Sequence, residues 1–192
     1  MLNEPRVLKE WPGRPPRDNA GKVPTVLMYE SLENSRSPIF WGFTATDEAP
    51  SGLGIVREHF KTQLQVEDND TVNPSASQDP FAAKNTLDYL ECLHAQIQSV
   101  FNPTVLGKSW NKATVSFLFS APALWNADTI SRFRALAESA GFATPDGSRT
   151  IDIRLTETIA ACIHTIKVSP GDIKASSHLA ALGVDPFSGL ID

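Results

Sequence analysis

Between Ala113 and Ile166 the chain switches twice from a two-residue hydrophobic rhythm to one of three and four residues, and this alternation constrains the fold more than any other feature. Over Ala113 to Ser120, Val115, Phe117 and Phe119 share one face of a strand, with Thr114, Ser116 and Ser120 on the other. Leu118 breaks the polarity of that second face, so the strand is expected to be covered on both sides. Asn126 is placed to cap a helix over Ala127 to Ala140, with Ile130, Phe133, Ala137 and Ala140 inward and Gly141 as its stop. Ile151, Ile153 and Leu155 predict another short strand, and a helix from Thr156 to Ile166 follows directly. The order strand, helix, strand, helix predicts an α/β layer with parallel strands and right-handed crossovers.

Upstream, a second strong pattern follows Asp79-Pro80, where a carboxylate can cap free N–H groups and proline is tolerated in the first turn. Ala83, Leu87, Leu90, His94, Ile97 and Phe101 then recur at spacings of three and four, one stripe of an amphipathic helix that Asn102-Pro103 ends. Before it, Val23 to Glu30 and Ile39 to Thr44 predict two strands around a polar loop. Gly54 to Leu64 predicts a short helix carrying Ile55, Phe60 and Leu64, and residues 65 to 79 an exposed acidic loop. Seven of the fourteen prolines lie in the first 50 residues, so residues 1 to 21 are read as a flexible, solvated lead. Residues 168 to 192 are read as an irregular tail.

Composition removes several function classes. Lys and Arg number 17 against 22 Asp and Glu, a net charge of −5 with no basic stripe, which argues against nucleic acid as a partner. The two cysteines, Cys92 and Cys162, cannot supply a disulfide framework. Met1 to Gly13 is polar and lacks the apolar core of a signal peptide, and no apolar run is long enough to span a membrane. No membrane partner and a cytoplasmic location are the expectations.

Most chemical motifs fail on spacing. Gly107-Lys108-Ser109 resembles the end of a P-loop, but the pattern needs glycine where Asn102 stands. Gly52-Leu53-Gly54 lacks the third glycine of a dinucleotide fingerprint, its place being taken by Arg57. Cys92-Leu93-His94 and Cys162-Ile163-His164 suggest zinc, yet residues two apart on a helix point away from one another. His94 reads as a histidine at the edge of the core, His59 and His178 as surface groups. Glu67-Asp68-Asn69-Asp70 lacks the glycine and terminal glutamate of a calcium loop. Trp11, Trp41, Trp110 and Trp125 are scattered with few basic neighbours, which favours packing over base stacking.

Lys22-Val23-Pro24-Thr25, Trp41-Gly42-Phe43, Asp88-Tyr89-Leu90, Ser120-Ala121-Pro122-Ala123-Leu124-Trp125, Ala140-Gly141-Phe142 and Thr156-Glu157-Thr158-Ile159-Ala160-Ala161 follow one another in an order with a known counterpart. Over residues 22 to 167 the chain resembles the first lobe of the 70-kilodalton heat-shock chaperone ATPases, closest to the divergent fungal branch of that actin-like superfamily. The resemblance implies a partial actin-like, ribonuclease H-like α/β lobe. Its strand-and-helix insertion would cover residues 22 to 110 and its core layer residues 111 to 167.

In that family two glycine-rich hairpins wrap the phosphates of ATP with backbone N–H groups, and their aspartates hold magnesium through water. The resemblance therefore implies ATP and Mg as cofactors. Glu157 is matched to the glutamate that helps orient the attacking water, although Thr158 replaces the usual following proline. Pro122 is matched to the proline that relays nucleotide state between domains, and Lys61, after Phe60, to the lysine that reaches the terminal phosphate. Glu157 also reads as a first-turn carboxylate favoured by the helix dipole, and Lys61 as a solvated lysine. No Asp-x-Gly occurs anywhere in the sequence, so neither hairpin pattern is present. The expectation is a truncated homologue unable to hydrolyse ATP alone, or an interaction module that binds a protein client or a full-length relative, or a portion of a longer ATP-binding protein.

Overall fold

The computed structural model describes residues 7–16, 22–31, 36–65, 81–101 and 109–168. It divides into two compact units, Met1–Phe117 with Asn126–Asp152, and Leu118–Trp125 with Ile153–Asp192. All but the first residue of the loop expected over 65–79, the Asp79-Pro80 helix start, the Asn102-Pro103 stop, Gly107-Lys108 and the tail from 169 lie outside the described residues. No described helix is long and apolar enough to cross a membrane.

The first unit is built around β1 (Val26–Tyr29), whose four residues are all buried. A strand buried on both faces needs apolar cover on both, and here two helices supply it. Leu27 and Tyr29 face Phe60 and Tyr89, the latter from α2 (Ala82–Val100), while Val26 and Met28 face Ala45 of α1 (Gly42–Glu48). On either side of β1 run β2 (Phe40–Trp41) and β3 (Ile55–Glu58), both antiparallel to it. Leu27 pairs with Trp41 and Arg57, and Met28 with Phe40 and Val56.

Two expectations for this region are corrected. The strand expected over Ile39 to Thr44 stops at Trp41, because Gly42 takes a φ of +59° that turns the chain into α1. A Cβ at Gly42 would meet Val23 Cγ2 at 2.7 Å, so the turn also depends on close approach. The helix expected over Gly54 to Leu64 is instead β3 followed by a 3-10 turn, Thr62–Leu64. Ile55 and Val56 are β-branched and find main-chain partners in Tyr29 and Met28, so sheet pairing overrides the helical spacing of Ile55, Phe60 and Leu64.

The long helix forms over its predicted stripe, but its N-cap position is held by Phe81, which makes no side-chain cap bond, and not by Asp79; Phe101 stands at the C-cap. Its buried residues at the N-terminal half are Ala82, Asn85, Thr86, Asp88, Tyr89 and Leu90. Ala83 and Leu87 are only half-buried, so the face turned inward there is more polar than the stripe suggests. The proline-rich lead contains no regular element between residues 7 and 16, but Trp11 meets Trp41 edge-on at 6.4 Å.

The alternating segment follows its expected order. Helix α3 (Ala127–Ser139) lies between β4 (Val115–Ala121) and β5 (Arg149–Thr156), which pair with each other, and α4 (Glu157–Val168) comes after β5. Val115 N–H donates to the Ser148 carbonyl at 2.9 Å, and the Ser116 and Thr150 hydroxyls lie 3.1 Å apart. The two strands thus start side by side, as a parallel pair joined by a helix does. Asn126 Oδ1 accepts from Thr129 N–H at 2.9 Å and from its hydroxyl at 2.8 Å, the cap its position predicts. Cover on both faces of β4 is not found: Leu118 is 61% exposed. Leu118 is the position where the apolar residue interrupts the polar face, and Ser116 beside it on that face is exposed as well.

Candidate functional site

The residues singled out by the family resemblance fall in different units. In the second unit Pro122 follows the last residue of β4, and its carbonyl accepts from Trp125 N–H at 3.1 Å, closing the turn that leads away from the strand. Glu157 is the exposed first residue of α4, directly after β5. The capping of that helix falls to the preceding Thr156, whose hydroxyl accepts from Ile159 N–H at 3.2 Å. The Glu157 carboxylate then sits against the positive end of the helix dipole, where a negative charge is favoured.

Lys61 belongs to the first unit, half-buried at the start of the 3-10 turn. Its place is set by Phe60, which is 1% exposed and packs its ring 5.9 Å from that of Tyr89. His59 adopts φ +59°, and its carbonyl accepts from both the N–H and the hydroxyl of Thr62. The chain thus bends sharply to bury Phe60, and Lys61 follows from that bend.

Among the described residues no group of three or more His, Cys, Asp or Glu side chains is placed to hold a metal ion. A cleft lined by Tyr29, Ser31, Ile55, Arg57, Phe81, Lys84 and Asn85 holds about 10 Å³. That is the room one water needs, ~10–15 Å³, and far below a small-molecule pocket of ~300 Å³ or more.

Beside this cleft lies a polar cluster that the sequence did not single out. The Tyr29 hydroxyl donates to Asp88 Oδ2 at 2.6 Å, and Lys84 pairs with the same oxygen from one turn away on α2. Lys84 Nζ also lies 4.9 Å from the centre of the Tyr29 ring. Burial, then the hydrogen bond to Asp88 and its charge, push the Tyr29 phenol far above the usual tyrosine range. Tyr29 therefore keeps its proton at any physiological pH and acts as a donor, not as a nucleophile.

Asn85 completes the cluster, with Oδ1 3.2 Å from the Tyr29 oxygen and Nδ2 buried without a partner. The phenol has one proton and gives it to Asp88, so an amide turned by half a rotation lets Nδ2 donate to the phenol oxygen. The cluster ties α2 to β1 by hydrogen bonds and charge. The one signal in the sequence that could have found part of it is the Lys84 and Asp88 spacing of four on a helix, which was not singled out.

A second cluster, also in the first unit, surrounds His94. Its ring centre lies 5.9 Å from Trp110, 6.3 Å from Phe117 and 5.0 Å from Phe142. Gly141, at φ +92°, leaves room for it: a Cβ there would stand 3.1 Å from His94 Cε1. Arg149 stacks over Trp110 at 5.2 Å. His94 was expected at the edge of the core, and it is half-buried there.

Cys92 does not add chemistry to either cluster. Cys92 is pushed up to about 11, first by burial and then by Asp88 and Glu91, so it carries almost no thiolate at neutral pH. Comparison of the chain with protein-family models, with curated proteins and with solved structures finds no match to any of them.

Proposed function

We propose that the chain is an actin-like lobe related to the heat-shock-70 chaperone ATPases, and that by itself it does not hydrolyse ATP. The supporting observation is positional. Pro122 stands in the turn between β4 and the Asn126-capped α3, and Glu157 opens the helix that follows β5. The resemblance sets its relay proline in a strand-to-helix turn and its glutamate in the helix carrying Glu157-Thr158-Ile159-Ala160-Ala161, and these positions support the reading. The sequence contains no Asp-x-Gly, so the backbone cradle that would hold a triphosphate is not encoded in it. Without that cradle neither Glu157 nor Lys61 has an anchored phosphoryl group to act on. Titration calorimetry with Mg-ATP and a phosphate-release assay on the purified chain test this reading. Weak or no binding and no turnover are expected; micromolar binding with turnover refutes it.

A second reading, a protein-interaction module derived from such a lobe, rests on a separate observation. In the second unit Leu118 is 61% exposed and Leu124 83%, so two large apolar side chains at either end of the Phe119 to Ala123 stretch face water. A protein client or a longer relative would cover them. Size-exclusion chromatography with an apolar-patch dye checks this: a monodisperse monomer that binds no dye counts against it.

A further inference from the structure

We infer that His94 is a pH-sensitive joint between α2 and the elements packed on it within the first unit, closed when its imidazole is neutral and loosened when it is protonated. Its ring is held among Trp110, Phe117 and Phe142, with the Gly141 backbone against it. His94 Nε2 is buried and has no hydrogen-bond partner, and the same is true of Trp110 Nε1 and Arg149 Nε. Two of these three nitrogens are already donors without acceptors. A proton on Nε2 would add a third, and with it a full positive charge.

Among the described residues of the elements packed on His94, no negative group stands ready to receive that charge. Between Val115 and Ala121 β4 has no ionisable side chain, and neither does the turn from Ala140 to Phe142. Before β4, Lys112 is exposed. On α3 the charged Asp128, Arg132 and Glu138 are exposed, while Arg134 is turned to the Ile151 carbonyl at 2.8 Å. On α2 itself Glu91 is exposed, and Asp88 is taken up by Tyr29 and Lys84. The charged group that does act on His94 is Arg149, of the same sign as an imidazolium, and it already covers the Trp110 ring.

Burial, then the Arg149 charge, hold the His94 imidazole below its ordinary value. The sign follows from linkage. In the opened form His94 regains a pKa of about 6.5 and takes up a proton first, so acid favours opening. The joint is fully closed above about 6.5 and loses up to about tenfold in its closing equilibrium for each pH unit below that. The loss levels off once pH passes below the value in the closed form.

The test is hydrogen exchange followed by mass spectrometry on the full chain between pH 8 and pH 5, corrected for the intrinsic exchange rate. Peptides covering residues 90–100 and 110–117 should lose protection as pH falls, by about tenfold per unit below about 6.5 at most. Peptides from β1 and β3 should keep theirs. His94→Phe, which keeps an aromatic ring in the cage, should remove the response. Arg149→Gln, which takes away the like charge, should shrink it, and this arm decides the matter where His94→Phe does not fold. A wild-type response that is flat with pH, or one that persists unchanged in His94→Phe or in Arg149→Gln, overturns the inference.

Discussion

Removing the Tyr29 hydroxyl is the sharpest probe of how α2 is held to the sheet. In the wild type this hydroxyl donates to Asp88 at 2.6 Å, within the ~2.5–2.7 Å range of a charge-assisted O–H···O⁻ bond, and Tyr29 and Asp88 are 2% and 7% exposed. A hydrogen bond to a charged group contributes about 1.5–3 kcal/mol, and a buried carboxylate deprived of its donor regains little from water. Tyr29→Phe should therefore destabilise the chain by about 2 kcal/mol, a large part of the ~5–15 kcal/mol of an ordinary domain. Asp88→Leu should cost at least as much, because it strands both the Tyr29 hydroxyl and the Lys84 ammonium in a half-buried place. The two changes share one bond, so the double variant should fall short of the sum by about 1–2 kcal/mol. Urea unfolding at pH 7 followed by circular dichroism measures all three variants. A coupling below about 0.3 kcal/mol would mean that the bond adds nothing to stability, and the account of the cluster as a strut would be wrong.

Two further changes probe the alternating segment. Asn126→Ala removes the acceptor that serves both Thr129 groups and should cost about 1 kcal/mol in urea unfolding, whereas Asn126→Asp, which keeps an acceptor, should cost far less. Gly141→Ala and Gly147→Ala both place a side chain at positive φ, but a Cβ meets the His94 ring at Gly141 and open space at Gly147. Each should cost about 1 kcal/mol or more from backbone strain, with Gly141→Ala clearly the worse; equal losses would refute the close packing of His94 on that turn.

How much of this was legible beforehand depended on whether the signal was local. Asn126, the stripe of α3 and the stop at Gly141 act through bonds within a few residues, and the helix forms as their spacing predicts. The same holds for α2, whose bounds follow its periodicity. Gly54 to Leu64 failed for the opposite reason. Its three apolar residues suit one helix face, but Ile55 and Val56 bond to β1, some 26 to 28 residues earlier in the chain, and Phe60 is drawn to Leu27, Tyr29 and Tyr89. No local rule contains those partners. Leu118 erred similarly: an apolar residue on a strand suggests cover, while its exposure is a property of what stands nearby.

The candidate sites divide along the same line. Pro122 and Glu157 could be placed in a turn and at a helix start from their neighbours in sequence, since a turn and a first helical turn are short-range structures. The cluster of Tyr29, Lys84, Asn85 and Asp88 and the cage around His94 could not, because their members come from strands, helices and turns far apart in the chain. By itself the sequence determined α2, α3 and α4, the order of the alternating segment and the want of a phosphate cradle pattern, all of which are written in spacing and residue type. Tertiary structure alone decided which polar side chains are buried together and which histidine lacks a partner for its proton, because burial and pairing are made by contacts between residues that the chain order keeps apart.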